Sequence, residues 1–442
     1  MHLPLATVIP CAFSSFTFAE MYLRVLLSEG ASLSARQAIS ALARTGAWIE
    51  ICDPDPLCLG RLSRFVRAWH RCPPWNHDPT AYLRFLVRRL DVQRYDVLLA
   101  THDQAFLLSR FRDELRRRVG LALPTFAALE RVQSKAEFLK VLDELGLPHP
   151  LTVLVRSRAE LESKSSFPCY IKLPHSTAGC GVWLVRDKGE LSTVADRLQA
   201  AGFLGGSLQI LVQSPAPGGL RTIQAVYQHG GLVAAHLSCA RAQGVGGSAY
   251  ARESVLDPRV IEHLAALGTH LGWHGGLCMD YIYDHETGHV SYIDANPRPG
   301  ELMNATLSGL NLAELLVRVS LDREIHPRCT PHAGVRTHSV VMGLMALAHE
   351  GATRRRLLAE LRRAWRGSVP YDASQDEITR PREDMLSVIP AIYLTTRLLV
   401  RPSAAQRLVA RTVDNYSLSE AAAETIRRLP SDLVGACQSL VP

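Results

Sequence analysis

The chain is nearly without lysine: 44 of its 49 basic residues are arginine, and its five lysines all lie between Lys135 and Lys188. Where arginine is chosen almost everywhere, a lysine at a given position carries more information than usual. No run of eighteen or more uninterrupted apolar residues occurs, which excludes an ordinary membrane-spanning helix. The ten cysteines, at 11, 52, 58, 72, 169, 180, 239, 278, 329 and 437, never form a C-x-x-C pair. A zinc site or disulfide framework therefore has little support, and buried thiols in a reducing cytoplasm are expected. The first twenty residues lack the basic leading segment and cleavage site of a signal peptide, and they are read as an extension ahead of Met21. Also missing are a G-x-G-x-x-G fingerprint, an internal repeat and a low-complexity linker, so dinucleotide binding is poorly supported.

At 442 residues, 47% hydrophobic and 21% charged, the chain can build two or three domains with real cores. The net charge of +7 is dispersed, so nucleic acid is not an expected partner. Residues 21–130 alternate strands (21–28, 47–56, 96–103) with helical stretches, the pattern of an open parallel sheet in a Rossmann-like α/β domain. Asp103, after the last of these strands, is placed to face a substrate cleft. A helix over 134–146 follows. Short strands then alternate with glycine-rich turns, giving an α+β region with mainly antiparallel pairing. From residue 326 the pattern is helical and arginine-rich. The segment 386–400 (LSVIPAIYLTTRLLV) is expected to be a core helix, with membrane-surface contact as the alternative.

Chemistry-bearing residues concentrate in the middle region. The stretches CMDYIYD and VSYIDAN place Asp280 on one hairpin strand and Asp294 and Asn296 on the other. Residues two apart on a strand share a face, and two carboxylates with an amide oxygen are hard ligands suited to Mg2+. Continuing that alternation adds Arg298. Lys172 ends the strand CYIKL and is followed by a loop of small residues, 175–181, whose backbone N–H groups can approach phosphate closely. Lys135, at the start of a helix, offers a second ammonium. The strand LQILVQ ends in the turn SPAPGG, a hinge against which an adenine can pack. The competing reading is a polar strand pair with surface acids and an ordinary hairpin turn.

In this order the stretches Ser134-Lys135, YIKLPHSTAGCGV, ILVQSPAPG, CMDY and YIDANPR resemble the ATP-grasp family, in its carboxylate–amine ligase branch. The ATP-binding domain is of the type seen in the large chain of carbamoyl-phosphate synthase. The resemblance implies an ATP-grasp domain over 131–325, made of a lysine and flap subdomain (131–206) and a metal-site subdomain (207–325). Before it stands the α/β domain (21–130), and after it the helical region (326–442). It further implies that Lys135, Lys172, Ser176, Thr177, Gly179, Gly181 and Gln213 bind ATP. Asp280, Asp294 and Asn296 would hold two Mg2+ ions, with Mn2+ as an alternative ion, and Arg298 would act in catalysis. Arg241 and Arg252, in a loop resembling the acceptor-site loop of such ligases, would hold a substrate carboxylate; the alternative is a solvated hairpin end.

The implied activity is amide or peptide bond formation through an acyl phosphate, with an amino acid or peptide among the substrates and ADP and phosphate released. Two other readings remain. One is a different acceptor, as in carboxylases and phosphotransferases of this family; the other is a silent nucleotide-binding relative. Three departures stand out: both metal-site acids are Asp where Glu is common, Ser134 replaces an Asp, and Gln213-Ser214 replaces a Glu at the hinge. A homodimer is compatible with all of this, and the oligomeric state is left open.

Overall fold

The computed structural model describes residues 23–176, 181–325, 330–378, 382–408 and 417–436. Strands β1 (Arg24–Leu27), β2 (Trp48–Asp53), β3 (Val66–Arg71) and β4 (Val97–Leu99) form a parallel sheet in the order β3-β2-β1-β4. β1, β2 and β4 are mostly apolar and mostly buried, with Glu50 and Asp53 as buried acids in β2, in keeping with strands covered on both faces. β3 (VRAWHR) escapes a hydropathy reading because arginine and histidine interrupt it.

β5 (Thr152–Val155), β6 (Cys169–Lys172), β7 (Val182–Val185) and β8 (Ile210–Gln213) make a small antiparallel sheet ordered β5-β8-β6-β7. The third sheet contains β9 (Gly219–Gln228), β10 (Gly231–Gln243), β11 (Ala249–Val255), β12 (Gly275–Tyr283), β13 (Val290–Asn296), β14 (Arg336–His338) and β15 (Ser374–Asp376), in the order β13-β12-β9-β10-β11-β14-β15. One face packs Ile223, Ala225, Tyr227, Met279 and Tyr281 with the fully buried Trp273.

The turn between β8 and β9 is pinned. Gly218 has φ +118°, and a Cβ there would stand 2.1 Å from the Tyr283 carbonyl oxygen, so a side chain is excluded.

Two readings of the C-terminal third are corrected. It is not purely helical, because β14 and β15 extend the large sheet; three-residue polar strands at a sheet edge have no periodicity to read. The apolar segment after 386 does form a helix, Val388–Val400, but not a core helix: among its residues Leu398 alone is buried. The last described helices belong to the first domain's core instead. Leu418, Ala422, Ala423 and Ile426 pack with Phe106, Phe111 and Leu129.

Of the ten cysteines, the six at 52, 58, 72, 169, 239 and 278 are described as free thiols, all buried except the half-buried Cys239.

Candidate active site

The candidate site lies where the small sheet, the large sheet and one helix N-terminus meet. Ser134 caps the helix Lys135–Glu144, its side chain accepting from the Glu137 N–H. Asp and Ser are both good N-caps, so Ser134 keeps the local geometry that an Asp would give. The Lys135 N–H donates to the Pro174 carbonyl, which ties this helix to the exit of β6. The buried Lys135 ammonium lies 2.8 Å from Asp294 Oδ1 and donates to the Ser176 carbonyl at 3.2 Å.

β12 and β13 pair antiparallel with Asp280 directly opposite Asp294 and Cys278 opposite Asn296. Between the Asp280–Asp294 and Tyr281–Tyr292 pairs the register shifts, leaving Ile293 as an extra residue on β13. This β-bulge has a consequence. Tyr292 stays in the core, yet two residues later Asp294 turns to the opposite face and meets Lys135. The Ile293 carbonyl then accepts from the Lys172 ammonium at 3.2 Å. Bulges beside active sites commonly re-aim a side chain in this way.

The electrostatics fit a cation and a polyanion. Burial, and then the neighbouring Asp294, push the Asp280 carboxyl up to about 6, although it accepts a hydrogen bond from Thr222 Oγ1 at 2.9 Å. Two facing carboxylates are a donor set for a divalent ion, and Asn296 lies two pair positions further along, opposite Cys278. Burial pulls the Lys172 amine down to about 8, with Asp294 opposing the shift and Lys135 adding to it. The buried Ser176 Oγ has no partner among the described residues, as a hydroxyl waiting for a phosphate oxygen would. Gly181 has φ +80° and its carbonyl accepts from the Leu173 N–H, closing the base of the loop. Thr177 and Gly179 lie outside the described residues.

Arg298 does not continue the strand. β13 stops at Asn296, and the Arg298 N–H turns back to the Asn296 carbonyl at 2.7 Å. The guanidinium hydrogen-bonds Asp103 Oδ1 in the first domain. Asp103 is buried. Against the effect of burial, Arg298 and His102 hold its carboxyl well below the usual range, and Oδ2 accepts from the Leu418 N–H at 3.0 Å.

Arg252 is buried between Glu301 and Glu377, near enough to Asp280 to oppose its upward shift. Arg241 is turned away: it binds Asp372 at 2.7 Å and the Pro370 carbonyl at 2.9 Å. Gln213 ends β8 between Thr152 and Tyr170, and its buried amide donates to Thr152 Oγ1 at 2.9 Å.

Four supporting residues escaped the sequence reading. Thr222 and Gln224 lie on the face of β9 opposite the core, a polar alternation in TIQAVYQ that was legible. Glu301 follows the metal-site strand as an exposed-looking acid. Glu420 accepts from both the backbone N–H and the ring Nδ1 of His175, at 3.2 and 2.8 Å, a pairing across 245 residues with no local signal. Elsewhere His229, His274 and Asp322 cluster. The two imidazoles stack at 4.4 Å, and Asp322 is bonded to Arg116 and His229.

No family model matches the chain. The D-aspartate ligase of Enterococcus faecium is 24% identical over 305 residues, 61% of this chain and 70% of that protein. Among solved structures, N5-carboxyaminoimidazole ribonucleotide synthetase in its ADP complex aligns with a TM-score of 0.59 at 13% identity, covering 78% of this chain and 85% of its own. An L-amino acid ligase from Bacillus licheniformis aligns with a TM-score of 0.55 at 15% identity, covering 72% and 80%. The chain has the ATP-grasp fold.

Proposed function

We propose, from the ATP-grasp fold, that this chain is an ATP-dependent carboxylate–amine ligase: it phosphorylates a carboxylate and passes the acyl group to an amine, releasing ADP and phosphate. One observation carries the reading. Lys135, Lys172, Asp280 and Asp294, from a helix and three strands, converge on a single spot. Asp280, Asp294 and Asn296 would hold Mg2+, which supplies charge neutralisation on the phosphates. Lys135 and Lys172 would bind phosphate oxygens, each exchanging its present carboxylate or carbonyl contact for the nucleotide. Ser176 would donate its free hydroxyl to the same group, and Gln213 would border the adenine.

Carboxylate oxygen is a poor leaving group toward an amine, and its phosphorylation makes a good one. The loop 175–181 would then exclude water while the amine attacks. Arg298 would supply positive charge where the tetrahedral oxyanion develops, and Arg252 would hold a substrate carboxylate. The likeness to ligases named for D-aspartate and L-amino acids supports an amino acid as one substrate.

The testing experiment is ADP release from Mg-ATP by the purified protein, against pools of amino acids and other carboxylates with and without amines. Release that requires both a carboxylate and an amine is expected; tight ATP binding without release in any pool would sink the ligase reading.

Lys172 makes a pH prediction. With its free amine near 8, the ammonium needed for phosphate binding is lost as pH rises past that value. The ATP dissociation constant should therefore climb above pH 8, by up to about tenfold per unit. Calorimetric titration at pH 7, 8 and 9 checks this, and Lys172→Met should bind weakly with the dependence flattened.

A further inference from the structure

Helix Val388–Val400 hides little of its own apolar surface. Leu394, Leu398 and Leu399 pack toward Leu344, Met345 and Leu357. On the other side Ile389, Ile392 and Tyr393 are exposed at the spacing of a single helix face, Ile392 at 59% exposure, with exposed Met385 in the turn just before the helix and exposed Val400 at its end. Scattered exposed apolar residues need no explanation, but a group of them on one helix face marks a surface that something covers.

The neighbouring helix, Arg354–Trp365, indicates what covers it. The two helices share one apolar cluster through Leu357, Leu361, Leu394 and Leu398, and Arg354, at the start of one, donates to the Val400 carbonyl at the end of the other. The Arg354–Trp365 helix exposes Arg355, Arg356 and Arg362, and ends on Trp365 at 87% exposure. Arg397 and Arg401 add two more exposed cations. Among the described residues of 350–408 the exposed acids are Glu350 and Glu383, and Glu383 is paired with Arg44 at 3.6 Å. A second copy of this chain meeting this face across a two-fold axis would set these arginines against their own equivalents. An anionic bilayer complements them. Apolar side chains enter the acyl boundary, Trp and Tyr sit at the headgroup level, and arginines reach the lipid phosphates. No described helix is long and apolar enough to cross a membrane.

We propose that the Val388–Val400 and Arg354–Trp365 helices form a docking face for an anionic lipid bilayer. Docking uses no residue of the candidate active site and is independent of the ligase reading.

The test is co-sedimentation of the full chain with phosphatidylcholine vesicles, with and without phosphatidylglycerol, at low and high salt. The wild type should pellet with the anionic vesicles alone and be released by salt. The double variants Ile389→Ser/Ile392→Ser and Arg355→Gln/Arg356→Gln should each lower the partition coefficient about tenfold or more, with ATP binding and circular dichroism unchanged. Absence of wild-type binding to anionic vesicles would overturn the proposal, as would binding that neither variant weakens. Light scattering that finds a dimer dispersed by the isoleucine pair would give the face to a second copy and overturn it too.

Discussion

Asp294→Ala should lower ADP formation by more than about 100-fold, because losing even a supporting residue of a metal site commonly costs 10- to 100-fold and Asp294 does two things. It faces Asp280 across the strand pair as one half of the proposed metal site. It also neutralises Lys135, which is buried and otherwise held by the Ser176 carbonyl. Removing the carboxylate weakens the ion and leaves an uncompensated ammonium that will seek another anion. Asp294→Asn, which keeps the shape and loses the charge, should behave similarly. Asp280 should report the change directly: without its neighbour its carboxyl should titrate below the value near 6 that burial and Asp294 now set. Turnover within tenfold of wild type in both variants would remove Asp294 from the metal site.

Arg298→Ala should act on two quantities at once. If Arg298 steadies the oxyanion, turnover should fall by about 10²–10³. The variant also strips the counter-charge from Asp103, which is completely buried, and breaking such a pair costs about 3–5 kcal/mol. Denaturant unfolding and initial-rate measurements read the two effects separately. The sign with pH is defined. With Arg298 gone, burial raises the native pKa of Asp103 above its unfolded value, so the stability deficit is greatest at neutral pH. It should shrink on acidification, as the native carboxyl takes up a proton. Adding Asp103→Asn to Arg298→Ala should restore much of the stability without restoring turnover. Recovery of both would make Arg298 a purely structural residue.

The legible parts of the site were those set by short-range pattern. Lys135 behind a capping Ser134, Lys172 at the end of an apolar strand, and Asp280 opposite Asp294 across a hairpin all depend on neighbours within a few residues or one turn. Arg241 could not be placed that way. Its hairpin reads as an open loop, and only the return of the chain at Pro370 and Asp372 ties the guanidinium down. Arg298 was misread for a related reason: alternation was extended past Asn296 through Pro297 and Pro299, where a strand ladder cannot continue. The Val388–Val400 helix shows the complementary limit. Its apolar character was evident, but whether such a face turns inward depends on whether another element arrives to cover it.

The longer apolar strands, the two lysines, the acid pair and their order along the chain were legible from the residues alone, because strand period, caps and turns are local and each residue's neighbours are written beside it. Which face each acid presents and what completes the site emerge with the packed chain. The extra residue Ile293 changes the alternation between Tyr292 and Asp294 and aims a carbonyl at Lys172. Glu420 reaches His175, and Leu418 reaches Asp103, from the far end of the chain. A bulge forms where two strands must satisfy both a core and a cleft. A contact across 245 or 315 residues forms where chain closure brings a partner to a buried group that needs one, and neither condition is visible until the whole chain has packed.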